Sequence, residues 1–145
     1  MRINNKLIYS IPLSTIGIVM IILGLRWVFV LEPWMLDEVA NIDRLKMSFN
    51  DLFSQSPQTL PDYLRQIYRF FGLWVCIIGL FITLFSMPKV SSNPWVRRRV
   101  ICSVGAMILF GTILGYVWIP KSPFIYLSWG MIALFMTSLY GHKNY

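Results

Sequence analysis

The chain has 145 residues, 57% of them hydrophobic and 16% aromatic, with only 13% charged and a formal net charge of +7. Charged residues run at roughly 25% in soluble domains, and a soluble chain of this length could not hide so much apolar surface, so much of it is expected to face lipid. The basic residues sit at the ends of apolar runs and not along one polar face, which argues against nucleic acid and for membrane lipids as partner.

The first apolar run covers residues 7–31 (LIYSIPLSTIGIVMIILGLRWVFVL). Basic residues precede it, as in a signal peptide. It is longer than the usual apolar stretch of about 7–15 residues, however, and no A-x-A-like cleavage site follows. It is read as a retained first span.

Residues 32–69 hold all six acids, Glu32, Asp37, Glu38, Asp43, Asp51 and Asp62. Pro33 suits a first helical position, and Asp37 and Glu38 suit an early turn near the positive end of a helix dipole. Met35, Val39, Ile42, Leu45, Phe49, Leu52 and Phe53 fall within an arc of about 140° at helical spacing. An amphipathic helix over residues 34–53 is expected, lying on the membrane surface or across the outer end of a bundle. Pro57 and Pro61 then break the pattern. A new helix is expected from near Pro61 into a second span at 70–87, ending before Pro88 and reaching about 40 Å.

The gap after it, MPKVSSNPWVRRRV, gathers Lys89, Arg97, Arg98 and Arg99. A third span is expected at 100–119 and a fourth at 124–140. Each is near or above the roughly 17-residue minimum for crossing a bilayer, and none alternates as a β-barrel strand would. With four spans, the N-terminus, the 88–99 gap and the C-terminus share a side that carries basic residues and no acid. The positive-inside rule puts that side in the cytoplasm, as in a bacterial-type inner membrane. Lys89 and Arg97–Arg99 then form an inner-leaflet basic anchor, which could also meet anionic headgroups. Trp27, Trp34, Tyr116, Trp118 and Tyr126 are placed at the outer interface and Tyr9, Trp95 and Tyr140 at the inner one. Trp74 and Trp129 read as packing residues. The fold class is an all-α, integral membrane four-helix bundle forming a single membrane domain.

Chemistry is hard to place. No Asp, Glu, Lys or His falls in the middle of a span, where proton relays and ion paths need them. One histidine, His142, makes a poor metal site and reads as an exposed tail residue. Cys76 and Cys102 differ in depth by roughly 15 Å, too far for a disulfide. No catalytic residue, metal or cofactor is assigned, and the chain is not expected to be an enzyme. The best candidate for binding a lipid or quinone headgroup is a level shared by Arg26, Arg65 and Arg69 with Tyr68, because guanidinium offers forked donors to such oxygens. Gly111 and Gly115 form GxxxG, a candidate helix-packing pair. Gly105 in the third span, Gly17 and Gly24 in the first, Gly72 and Gly79 in the second and Gly130 in the fourth could also accept close neighbours.

Four short spans, the glycine-containing IGIVMIILGL of the first, and RQIYRFFGLWVCIIGL at the head of the second, with Arg69 shortly before Gly72, resemble the DoxX-like group of small four-helix membrane proteins. The acidic insertion departs from that group's compact plan. The resemblance implies a four-helix membrane fold and, for some members, a link to respiratory quinol oxidation. The functional expectation is a non-catalytic accessory subunit of a larger membrane complex, in contact with other membrane subunits. The alternative is a small lipid- or quinone-handling protein with an outer-leaflet arginine site.

Overall fold

The computed structural model describes residues 5–145. Its elements are α1 (Asn5–Phe29), a 3-10 turn (Pro33–Asp37), α2 (Glu38–Leu45), α3 (Phe49–Ser54), α4 (Leu60–Ser86), α5 (Pro88–Ser91), α6 (Pro94–Trp118) and α7 (Phe124–Lys143). The described residues contain no strand. Four helices, α1, α4, α6 and α7, are long and apolar enough to cross a membrane. Both ends of the described chain lie at one end of the bundle, the terminal end. Residues 30–59 and the 119–123 turn lie at the other, the far end.

α1 is the central helix. In its most apolar stretch 39% of residues are buried, against 17% in each of the other three spans. Its partner along most of its length is α4, and small residues set that contact. Gly24 meets Gly72, Gly17 meets Gly79, and the Ser10 hydroxyl donates to the Ser86 carbonyl at 2.6 Å. These positions recur every seven residues on both helices in antiparallel register, the repeat that suits a left-handed crossing. One step further out, Arg65 Nε donates to the Leu31 carbonyl at 2.9 Å. A Cβ on Gly24 would sit 2.5 Å from the Gly72 carbonyl oxygen, and one on Gly79 would sit 2.5 Å from that of Gly17. Only glycine lets the backbones approach this closely. On its other side α1 takes α7: Gly141 lies against the Tyr9 backbone, and Ser138 Oγ donates to the Tyr9 carbonyl at 2.7 Å.

The predicted packing pair in α6 is a correction. Nothing lies within 4 Å of a Cβ placed on Gly111, and Gly115 meets only the tip of Ile125. Spacing alone cannot say which face of a helix finds a partner, and here α6 leans on α7 while touching α4 only lightly. The core of Tyr9, Leu13, Ile16, Ile82, Ile101, Val104 and Ile108 fills the terminal half of the bundle.

The expected single helix over 34–53 is broken into three pieces. Lys46 takes a left-handed conformation (φ 58°) and closes α2, its N–H bonding the Ile42 carbonyl. Ser48 then caps α3: its side chain accepts from the Asp51 N–H at 3.1 Å and donates to the Asp51 carboxylate at 2.7 Å. A local cap thus overrides the apolar periodicity. The span boundaries also move. α6 begins at Pro94, so Arg97–Arg99 sit within its opening turns and not in a loop.

Several aromatic placements change too. Tyr9, Trp27 and Trp34 are buried against the protein, while Trp74 and Trp129, read as packing residues, are at least half exposed on the surface of the bundle.

Candidate functional site

The far end of α1 delivers Arg26 and Trp27 side by side, and they face different surroundings. Trp27 is only 8% exposed. Its ring packs edge-on against Phe71 of α4 and tilted against Phe124 of α7, each at 5.1 Å between centroids. This wedge joins three helices close to the Gly24–Gly72 contact of α1 and α4, and cavities open beside it.

Two adjoining cavities share Leu23, Trp27, Phe124 and Leu127 as walls. The inner one, of about 280 Å³, takes lining from all four spans, including Phe71, Met107, Ile108, Gly111 and Thr112. The exposed Gly111 and half-exposed Phe71 lie at its rim, so it opens sideways along the loose seam between α4 and α6. The outer one, of about 260 Å³, is bounded by Arg26, Leu36 and Pro123.

The inner cavity is almost wholly apolar; its lining includes Trp27, Thr112 and Ser128, of which Ser128 donates to the Ile125 carbonyl at 2.7 Å. Trp27 Nε1 and Thr112 Oγ1 are buried and make no hydrogen bond. The other threonines within the spans, Thr15, Thr83 and Thr137, each donate to the carbonyl four residues back. Thr112 forgoes that bond. In hydrocarbon no water satisfies such groups, and each orphan costs about 1–3 kcal/mol.

A strap covers the outer cavity. The 3-10 turn places Leu36 in its wall, and the Asp37 carboxylate accepts from Ser122 Oγ at 2.7 Å. Lys121 Nζ donates to Asp43 at 2.8 Å. Burial raises the Asp37 carboxyl above its ordinary range, and the Ser122 bond pulls it partly back. The hydrogen bond from Lys121 holds Asp43 below its ordinary value. Trp34, 2% exposed, anchors the strap among Phe49 and Phe53.

The arginine level expected from the sequence does not converge. Arg26 lines the outer cavity. Arg65 bonds Asp62 at 2.6 Å as well as the Leu31 carbonyl, and lies over the Trp34 ring. Arg69 shares a shallow surface groove with Arg65, Asp62, Tyr63 and Gln66. Tyr68 turns to another face, where its hydroxyl accepts from Asn41 Nδ2 at 3.2 Å. Pairs four apart share a face, but residue 68 lies a full 100° from residue 69 around the helix.

At the terminal end the basic group also divides. Arg97 is half-buried, donates to the Ser91 carbonyl at 3.0 Å and stacks 3.8 Å from the Tyr145 ring centre. Lys89 and Arg98 are exposed. Arg99 stacks over Trp95 at 5.1 Å. His142 is packed near Tyr9 and is not an exposed tail residue, with a buried Nδ1 that makes no hydrogen bond. Cys76 and Cys102 are free thiols, and the described residues contain no cluster of three potential metal ligands.

Sequence reasoning missed Trp27 and Thr112 as site residues. A tryptophan near a span end reads as an interface anchor, and one hydroxyl in an apolar run carries no sign of its bonding. Comparison with known protein families, with characterised proteins and with solved structures yields no match.

Proposed function

We propose that this multi-pass membrane protein binds one amphiphile in its far-end cavities: an apolar body bearing a carbonyl or similar oxygen, in the class of quinones and acyl lipids. One observation carries this reading. Trp27 and Thr112, whose buried Nε1 and Oγ1 atoms make no hydrogen bond, both line the same apolar cavity. The indole N–H is a donor only and the hydroxyl is donor or acceptor, so the chemistry these two residues bring to the wall suits ligand oxygens. The two cavities together fall within the roughly 300–1,000 Å³ range of small-molecule sites. Arg26 at the outer mouth supplies a donor for a more polar or anionic headgroup. The quinone link implied by the DoxX-like resemblance agrees with this class of ligand.

The accessory-subunit expectation gains no comparable support, because lipid covers the exposed apolar faces as readily as a partner subunit would.

The test is native mass spectrometry of gently extracted protein, together with titration of a short-chain quinone and of a diacyl lipid by tryptophan quenching. Thr112→Val is expected to weaken binding about five- to tenfold, the scale of one hydrogen bond. Gly111→Leu adds a side chain at the cavity rim, where a Cβ meets nothing within 4 Å, and is expected to weaken binding strongly while the fold is kept. Equal binding by wild type and Gly111→Leu would overturn the assignment.

A further inference from the structure

A second groove lies on the same α4/α6 seam, at the terminal end. Phe81, Ile82 and Phe85 of α4 form one wall. Trp95, Val96, Arg99, Val100, Ser103 and Val104 of α6 form the other, around a volume of about 280 Å³. The floor is apolar and the rim is cationic. Arg99 stands at the rim, with its guanidinium over the Trp95 ring at 5.1 Å.

That stack orients the guanidinium without neutralising it. Among the described residues no carboxylate lies within ion-pairing distance of Arg99, because all three ion pairs use far-end acids. Among the described residues, the terminal end holds Lys6, Lys89, Arg97, Arg98, Arg99 and Lys143 and not one Asp or Glu. Arg97 is committed to Ser91 and Tyr145, whereas Arg99 keeps its donors for a ligand. An aromatic plate under a planar fork at the membrane boundary, above an apolar trough, matches an anionic headgroup on an acyl chain.

We propose that this groove seats one anionic phospholipid of the leaflet at the terminal end. Its phosphate lies on Arg99 and an acyl chain runs along Phe85, Phe81 and Val104. The site is separate from the far-end cavities and does not depend on the reading given to them. It also differs from a diffuse basic surface, which would attract the same lipid through Arg98 as well as through Arg99. The occupant is a membrane lipid: a chain in the trough adds apolar burial that free phosphate cannot supply.

Native mass spectrometry of the full chain, from nanodiscs containing phosphatidylglycerol and phosphatidylcholine in equal amounts, separates these cases. Wild type is expected to retain one phosphatidylglycerol in preference to phosphatidylcholine. Arg99→Gln is expected to lower that preference about tenfold, the scale of a charge-assisted hydrogen bond, while Arg98→Gln leaves it within about twofold. Ser103→Phe keeps every charge and fills the trough, and it is expected to lose the bound lipid. Equal losses in Arg98→Gln and Arg99→Gln would overturn the site in favour of diffuse attraction. Retention in Ser103→Phe would show that no chain occupies the groove and would overturn it too. None of the three residues belongs to the buried core, so these variants are expected to keep the thermal stability of the wild type.

Discussion

Three adjacent arginines have three different fates, and this separates what a residue's charge does from what its contacts do. Arg97 is part of the bundle closure: its side chain is stacked on Tyr145 and bonded to the Ser91 carbonyl, and Tyr9 Oη donates to the Arg97 carbonyl at 3.4 Å. Arg98 is exposed. Removing Arg97 therefore costs a cation–π contact and a bond to a carbonyl, and Arg97→Gln is expected to lower stability by about 1–2 kcal/mol. Arg98→Gln is expected to stay within about 0.5 kcal/mol, the usual range for a surface change. Unfolding of both variants in the same detergent checks the contrast, and equal effects would reduce the run to charge alone. The same scale explains why the far-end site was hard to read. Trp27 and Thr112 matter because of bonds they do not make, and a missing bond leaves no trace in residue identity.

At the scale of elements, the spans were legible because hydrocarbon forces long apolar helices, and α4 starts and stops close to where its flanking prolines imply, whereas α6 starts at Pro94, ahead of its apolar run. Helix pairing was half legible. Gly17, Gly24, Gly72 and Gly79 were read as able to accept close neighbours, but the GxxxG of Gly111 and Gly115 was the pair singled out, and Gly111 faces open space while Gly115 meets only Ile125. The seven-residue spacing shared by α1 and α4 was the better signal, since a repeat on two helices can align in register whereas a lone motif has no partner specified. Gly24→Ala drives a Cβ toward the Gly72 carbonyl, Cys76 Sγ and the Cys76 backbone N–H; the thiol can turn aside, but the two backbone groups cannot. A loss of about 1–3 kcal/mol is expected, as for overpacking, against no loss for Gly111→Ala. Thermal unfolding of the pair reads the difference directly.

The strap is a further element whose behaviour follows from its two acids. Burial raises the carboxyl of Asp37, so its contribution to docking is greatest below the ordinary value of 3.8 and declines as pH rises through its higher folded value. Asp43, lowered by Lys121, behaves oppositely: its contribution is present above 3.8 and is lost as pH falls through its lower folded value. Docking should therefore strengthen slightly on mild acidification before weakening in strong acid. Hydrogen exchange across residues 33–45, corrected for intrinsic rates, is expected to show that order. A steady loss of protection from neutral pH downward would contradict it.

For the whole molecule, the all-α membrane architecture was readable because composition and run length leave few alternatives for a chain so apolar. The helix break at Lys46 and Ser48 was not, since a cap of a few atoms decides it against a stripe that extends across both pieces. Orientation is a separate property, set by charge in relation to the membrane and not by packing. We propose that the terminal end faces the cytoplasm, because it holds basic residues without acids while the far end holds all six acids. Membrane-impermeant amine labelling of right-side-out membranes is then expected to reach Lys46 and Lys121 but not Lys89 or Lys143. The charge argument has a sharper consequence. Replacing Lys89, Arg98 and Arg99 together by Gln spares the structural contacts of Arg97 and removes half of the six cationic residues described at that end. If charge sets the orientation, a measurable share of chains should then insert the other way up, with Lys143 becoming reachable from outside. If the triple variant keeps a single orientation identical to wild type, charge at this end is not what orients the bundle, and the apolar and aromatic boundaries must carry that role.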